Sequence, residues 1–215
     1  MIHCLLFSVS FCFAKTKVVQ LTEQQKKVAQ ILKKYKAAEA VEIKVNKSEN
    51  KKTLGTNQNT EGVIIFSKGK VNFLTEKPFK TEIIFNKNIW IIEYPDLELD
   101  PKGRRKVTIL KADKIIFLKK IAQIFSGSES TIKDFEIDNF DEDKINMHLK
   151  MTKMENLKHA AVRLNLSKNE ISQIKITDDI DTETIFDFNE SLFLKKVPTE
   201  KLVFKKKKSD EIFKP

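Results

Sequence analysis

Between Gly62 and Lys111 five short apolar segments follow one another, GVIIF, VNFL, TEIIF, IWIIEYP and KVTIL, separated by the turn formers SKGK, TEKPF, FNKN and DPKGRRK. Connections this short join antiparallel neighbours, because parallel strands need a longer, usually helical, crossover. The block therefore predicts an antiparallel meander and, with so many strands in succession, a wide curved sheet. GVIIF, TEIIF and IWII are apolar on both faces over part of their length, which a single sheet tolerates only when both sides are covered. Two short helices cannot cover every strand, whereas strong curvature lets the sheet face itself. The expected fold class is mainly β with helices (α+β): an open, strongly curved antiparallel β-barrel lidded by amphipathic helices, with an interior that is either packed core or cavity.

The lid elements are legible as helical spacing. Thr22 and Gln25 form a capping box, and after it Val28, Ile31, Leu32 and Tyr35 fall at i, i+3, i+4 and i+7, with lysines elsewhere. A second amphipathic helix is expected over Ala112 to Phe125, with Ile115, Leu118, Ile121, Ala122 and Phe125 on one side and a stop at Ser126-Gly127. Between the first helix and the meander, Val41, Ile43 and Val45 alternate with polar residues as a strand. Lys47 to Thr60, rich in Lys and Asn, reads as a polar hairpin loop. Beyond the second helix the chain returns to strands: TIKDFEI, KINMHLKM, AAVRLNL, ISQIKIT, TIFDF and KLVFK. The last eleven residues, 205–215, are basic and expected to fray.

The N-terminus places limits on function. Met1 to Ala14 has no charged side chain and ends in small residues before Lys15, the pattern of a signal peptide; a buried first strand is the alternative. It is too short to span a bilayer as a helix. Both cysteines, Cys4 and Cys12, lie within it, so the mature chain would have neither disulfide nor thiol chemistry. Phe11 stands where a lipid-attachment motif needs a small residue before Cys12. Residues 15–204 are then expected to form one exported domain. The net charge of +10 is dispersed and reads first as a solvated surface; export argues against nucleic acid as a partner.

Catalysis finds few candidates. His148 and His159 are the only histidines after residue 14, His148 within an alternating strand pattern, and there is no Gly-rich phosphate loop or zinc-protease motif. Asp178 and Asp179 are adjacent in a turn signal. No enzyme activity, cofactor or metal is expected.

LTEKPFKTEIIF followed by NIWIIEYPDLELD resembles LolA, the periplasmic carrier of bacterial lipoproteins, and the order of elements matches over most of the mature chain. The resemblance implies an open barrel that shelters acyl chains in the periplasm without a cofactor. It also implies, as partners, acylated lipoproteins, a LolCDE-like inner-membrane ABC transporter and a LolB-like outer-membrane acceptor, with the carrier itself a monomer. Under that reading the acyl chains meet Val28, Ile31, Leu32, Tyr35, Phe73, Ile83, Phe85, Trp90, Ile92, Ile115, Leu118 and Phe125. Lys77 stands where the family usually has Arg, and takes the place of a latch to the helical lid, without the planar fork. Trp90 and Pro95 are five apart where the family has four, so either a bulge intervenes or Trp90 points to the other face. The alternative within the same fold is a non-catalytic periplasmic module that binds or senses lipid or lipoprotein. A third reading, partner binding through exposed strand edges, predicts no cavity.

Overall fold

The computed structural model describes residues 22–111, 122, 124–126, 132, 135–140, 143–150 and 157–214. The proposed signal peptide, Ile115, Leu118 and Ile121 lie outside them. One helix, α1 (Glu23–Ala37), precedes β1 (Ala40–Lys51), β2 (Thr56–Ser67), β3 (Lys70–Lys77), β4 (Thr81–Asn86), β5 (Asn88–Glu93) and β6 (Lys106–Lys111). Then come β7 (Phe135–Phe140), β8 (Lys144–Leu149), β9 (His159–Asn165), β10 (Glu170–Thr177), β11 (Thr182–Leu194) and β12 (Glu211–Phe213). All twelve form one sheet in the order β12-β6-β5-β4-β3-β2-β1-β11-β10-β9-β8-β7. Every pairing is antiparallel except β12 with β6. The predicted meander is present as β2 to β6, and a second meander, β7 to β11, is zipped to it by β1. The sheet is large, curved and open: its end strands, β7 and β12, are not neighbours.

Contacts across the inner face report the curvature. Phe73 on β3 and Phe186 on β11 meet edge to face with ring centroids 6.0 Å apart, although β2 and β1 lie between their strands. A flat sheet would keep those strands roughly 14 Å apart, so the sheet bends toward this face. A bulge between Glu61 and Gly62 assists the bend. At Gly62 the backbone runs so close to the Leu74 carbonyl that no Cβ fits.

α1 lies on the concave face as its spacing predicts. Both halves of the capping box are made, Thr22 N–H to Gln25 Oε1 at 2.9 Å and Gln25 N–H to Thr22 Oγ1 at 3.2 Å. Val28, Ile31, Leu32 and Tyr35 are all buried. Of the second expected helix, Ala122, Ile124 and Phe125 are described; they are helical and buried, and Ser126 N–H donates to the Ala122 carbonyl. Phe125 stacks on Phe66 with centroids 3.7 Å apart.

Three expectations need correction. KLVFK, residues 201–205, is not a strand: its first residue ends a single 3-10 turn, Thr199–Lys201, and the segment takes no place in the sheet. Lys47 to Thr60 is not a loop: β1 and β2 continue through it and the turn is confined to residues 52–55. The reason is pairing on both sides, since β1 is hydrogen-bonded to β2 and β11 as far as Lys51. A doubly paired backbone needs no apolar side chains to stay extended. The C-terminal residues are likewise tied down. Arg105 donates from Nε and Nη2 to the two Asp210 carboxylate oxygens at 2.8 and 2.7 Å, Glu211–Phe213 pairs with β6, and Ile212 packs beside Val107. The run of lysines alone suggests fraying; the partners that hold the segment, Arg105 and β6, are remote in sequence.

Candidate functional site

Alternation along β4, β5 and β6 sorts the apolar residues onto two faces. Ile83, Phe85, Ile89, Ile91 and Leu110 join α1 in the concave cluster, whereas Ile84, Trp90, Ile92, Val107 and Ile109 form a second cluster with Tyr94, Phe204 and Ile212. Trp90 and Ile92, expected among the acyl contacts, therefore belong to the outer face, where Trp90 stacks on Phe204 at 5.9 Å. The spacing of Trp90 to Pro95 carried that outcome as one of its two readings. The outer cluster is roofed by the C-terminal segment. Asn72 donates to the Lys201 carbonyl and to Glu82, and Tyr94 donates to Glu82 at 2.7 Å. Arg105 and Asp210 are almost out of solvent; burial works against ionising Asp210, but the bonds from Arg105 and from the Lys207 amide outweigh it and hold its carboxyl below the usual range.

The concave face holds a cavity of about 120 Å³. Ile64 and Phe66 of β2, Val71 and Phe73 of β3, and Ile83 and Phe85 of β4 form one wall; Ile174 of β10 and Phe186 and Phe188 of β11 form the other, with Lys47 of β1 between them. Phe73, Ile83 and Phe85 are thus among the cavity-lining residues. Val28, Ile31, Leu32, Tyr35 and Phe125 belong to the same apolar cluster as cover rather than as wall. Tyr35 meets Phe125 and Phe193 edge to face at 5.4 and 5.2 Å, and its hydroxyl accepts from Ile171 N–H at 2.8 Å. That amide sits at a register shift between β9 and β10. Burial pushes the Tyr35 hydroxyl well above the usual tyrosine range, so it stays neutral.

Ile64, Phe66, Phe186 and Phe188 were not singled out from the sequence. Their strands, GVIIF and TIFDF, were visible, and what was missing was which alternate residues turn inward. Lys47 was missed because it fell in a segment taken for a loop. Its Nζ donates to Glu49 at 2.6 Å, and Lys51 pairs with the other Glu49 oxygen at 3.2 Å. Burial raises the Glu49 carboxyl, but the two lysines together carry it below the usual range. Lys77, at the end of β3, is exposed; it pairs with Glu61 beyond the bulge that interrupts the inward row of Val71, Phe73 and Thr75, and makes no side-chain hydrogen bond or ion pair with a described residue. Among the described residues no group of three or more His, Cys, Asp or Glu is placed to hold a metal. No helix among them is long and apolar enough to cross a membrane.

A curved, open antiparallel sheet with a helix against its apolar concave face defines a class of binding folds. The chain belongs to the LolA family: residues 36–205 match the family described as outer membrane lipoprotein carrier protein LolA. Among solved structures it is similar to an uncharacterized conserved protein from Thermus thermophilus, at 7% identity and TM-score 0.48, covering 90% of this chain and 100% of the other. It is also similar to the LolA superfamily protein NE2245 of Nitrosomonas europaea, at 8% and 0.40, covering 81% and 96%. LprF of Mycobacterium bovis matches at 13% and 0.42, covering 79% and 92%. No curated protein sequence matches the chain.

Proposed function

We propose that this protein is an exported, cofactor-free carrier that shelters the acyl chains of lipoproteins on its concave face and moves them from the inner to the outer membrane. The supporting observation is the apolar cavity between β2–β4 and β10–β11, covered by α1 and Phe125. Burying each methylene yields about 0.8 kcal/mol, so a chain of about a dozen gains roughly 10 kcal/mol before costs. Release therefore needs a partner, and we assign loading to an inner-membrane ABC transporter and unloading to an outer-membrane acceptor, with Lys77 at the rim as a latch to the lid. The cavity is smaller than the roughly 150 Å³ that holds one benzene. Cargo must therefore displace Phe125 and α1, a closed-to-open shift that partner binding can bias.

The small volume also supports a second reading, a periplasmic module that binds a single lipid. Purifying the protein from its native envelope and identifying what co-purifies separates the two: lipoprotein, and its transfer to outer membranes, supports the carrier; one lipid without transfer supports the module. A preparation that holds neither, and takes up neither, overturns both. We further propose that Met1 to Ala14 is removed on export, so that intact-mass analysis of the exported protein finds a start near Lys15. An acylated Cys12 or a retained N-terminus would sink that assignment.

A further inference from the structure

The inward row of β1 changes character along its length. Val41, Ile43 and Val45 are buried in the same apolar cluster as the α1 residues, and the same row then continues as Lys47, Glu49 and Lys51. Lys47 touches the cavity and is only a quarter exposed. Its cross-strand neighbours are Phe186 and Thr60; those of Glu49 are Thr184 and Gln58, and those of Lys51 are Thr182 and Thr56. The floor thus passes from aliphatic, through one lysine set beside a phenylalanine, to a polar apron on the β1–β2 arm. Two ammonium groups share one carboxylate there, which leaves one positive charge in excess.

We propose that the concave face binds a single-chain amphiphile with an anionic head, its chain lying in the cavity against Phe73 and Phe186 and its head on Lys47 and Lys51. This rests on the reading that the cavity takes an acyl chain and adds what the chain must be attached to. A Lys47 Nζ moved from Glu49 to the head keeps a charge-assisted bond in a half-buried setting, where such bonds are strongest. Glu49 then remains paired with Lys51, so no carboxylate is stranded. A neutral head gains nothing from this exchange, and a cationic one meets the surplus lysine.

The test is displacement of an apolar fluorescent dye from the full-length protein by dodecanoate, dodecyl phosphate, dodecanol and dodecylammonium, each below its micelle concentration. Both anions are expected to bind at least about tenfold more tightly than dodecanol, the scale of one hydrogen bond to a charged group, and dodecylammonium more weakly than dodecanol. The tighter of the two anions tells a carboxylate from a phosphate source. Lys47→Met should bring the anions to the level of dodecanol, and Glu49→Gln, which removes the competing carboxylate, should tighten them. Glu49→Gln keeps the test decisive if Lys47→Met does not fold. Equal binding of dodecanol and dodecanoate would overturn the head-group preference and leave acyl binding standing. Failure of all four to displace the dye would overturn acyl binding itself, and this proposal with it.

Discussion

Tyr35 links three elements through one side chain. Its ring meets Phe125 and Phe193, and its hydroxyl accepts from the Ile171 amide beside the register shift in β10. Tyr35→Phe keeps the ring contacts and strands that amide, so urea unfolding is expected to show a loss of about 1–3 kcal/mol. His148 Nδ1 and His159 Nε2 lie 2.9 Å apart on β8 and β9. Burial first, then His148 and Lys175, lower the pKa of His159. The unfolded chain therefore binds protons more readily than the folded one just below about pH 6.5. Stability should be complete above that pH and fall as pH drops through it, and His159→Gln should flatten this part of the urea-midpoint profile. An unchanged profile would remove His159 from the acid response. Lys77, as a latch, makes its own prediction: Lys77→Leu should load normally and transfer to acceptor membranes poorly, with Lys77→Arg transferring as wild type. A Lys77→Leu variant equal to wild type in both would return it to the solvated surface.

Elements behave according to what lies on each side of them. The helical residues around Phe125 form a cover whose ring is stacked on Phe66 of the cavity wall. Phe125→Ala should cost about 3–5 kcal/mol of stability yet speed acyl uptake in stopped-flow dye binding, because the displaced cover is lighter. Equal loss of stability with unchanged uptake would make Phe125 ordinary core. β12 is only three residues long, and its place depends on Arg105 and Asp210 as well as on Ile212. Arg105→Ala leaves the Asp210 carboxylate with the Lys207 amide alone, and urea unfolding is expected to show a loss of about 1.5–3 kcal/mol, the scale of a hydrogen bond to a charged group. Reduced near-ultraviolet dichroism from Trp90 should accompany it, since Trp90 stacks on Phe204 in the same roof. The β1–β2 arm shows the converse: its outer half is polar on both faces and still extended, because β11 and β2 satisfy its backbone.

At the scale of the molecule, the meander β2 to β6, the capping of α1 and the alternation of Val41, Ile43 and Val45 were all legible in the sequence, because each depends on residues within a turn or two of one another. Membership of the LolA family was legible in the order of its segments. The tertiary structure decided which of two apolar faces became the inside. IWII and TEIIF offer apolar residues to both sides, and local periodicity gives their relative faces without saying which one the sheet bends toward; that is why Phe85 lines the cavity while Trp90 and Ile92 pack outside. It also decided that Lys47 borders the apolar cavity and that the C-terminal residues roof the outer cluster. Those outcomes rest on contacts between residues far apart in the chain, Phe73 with Phe186 and Arg105 with Asp210, and exist only once sheet curvature has brought the strands together.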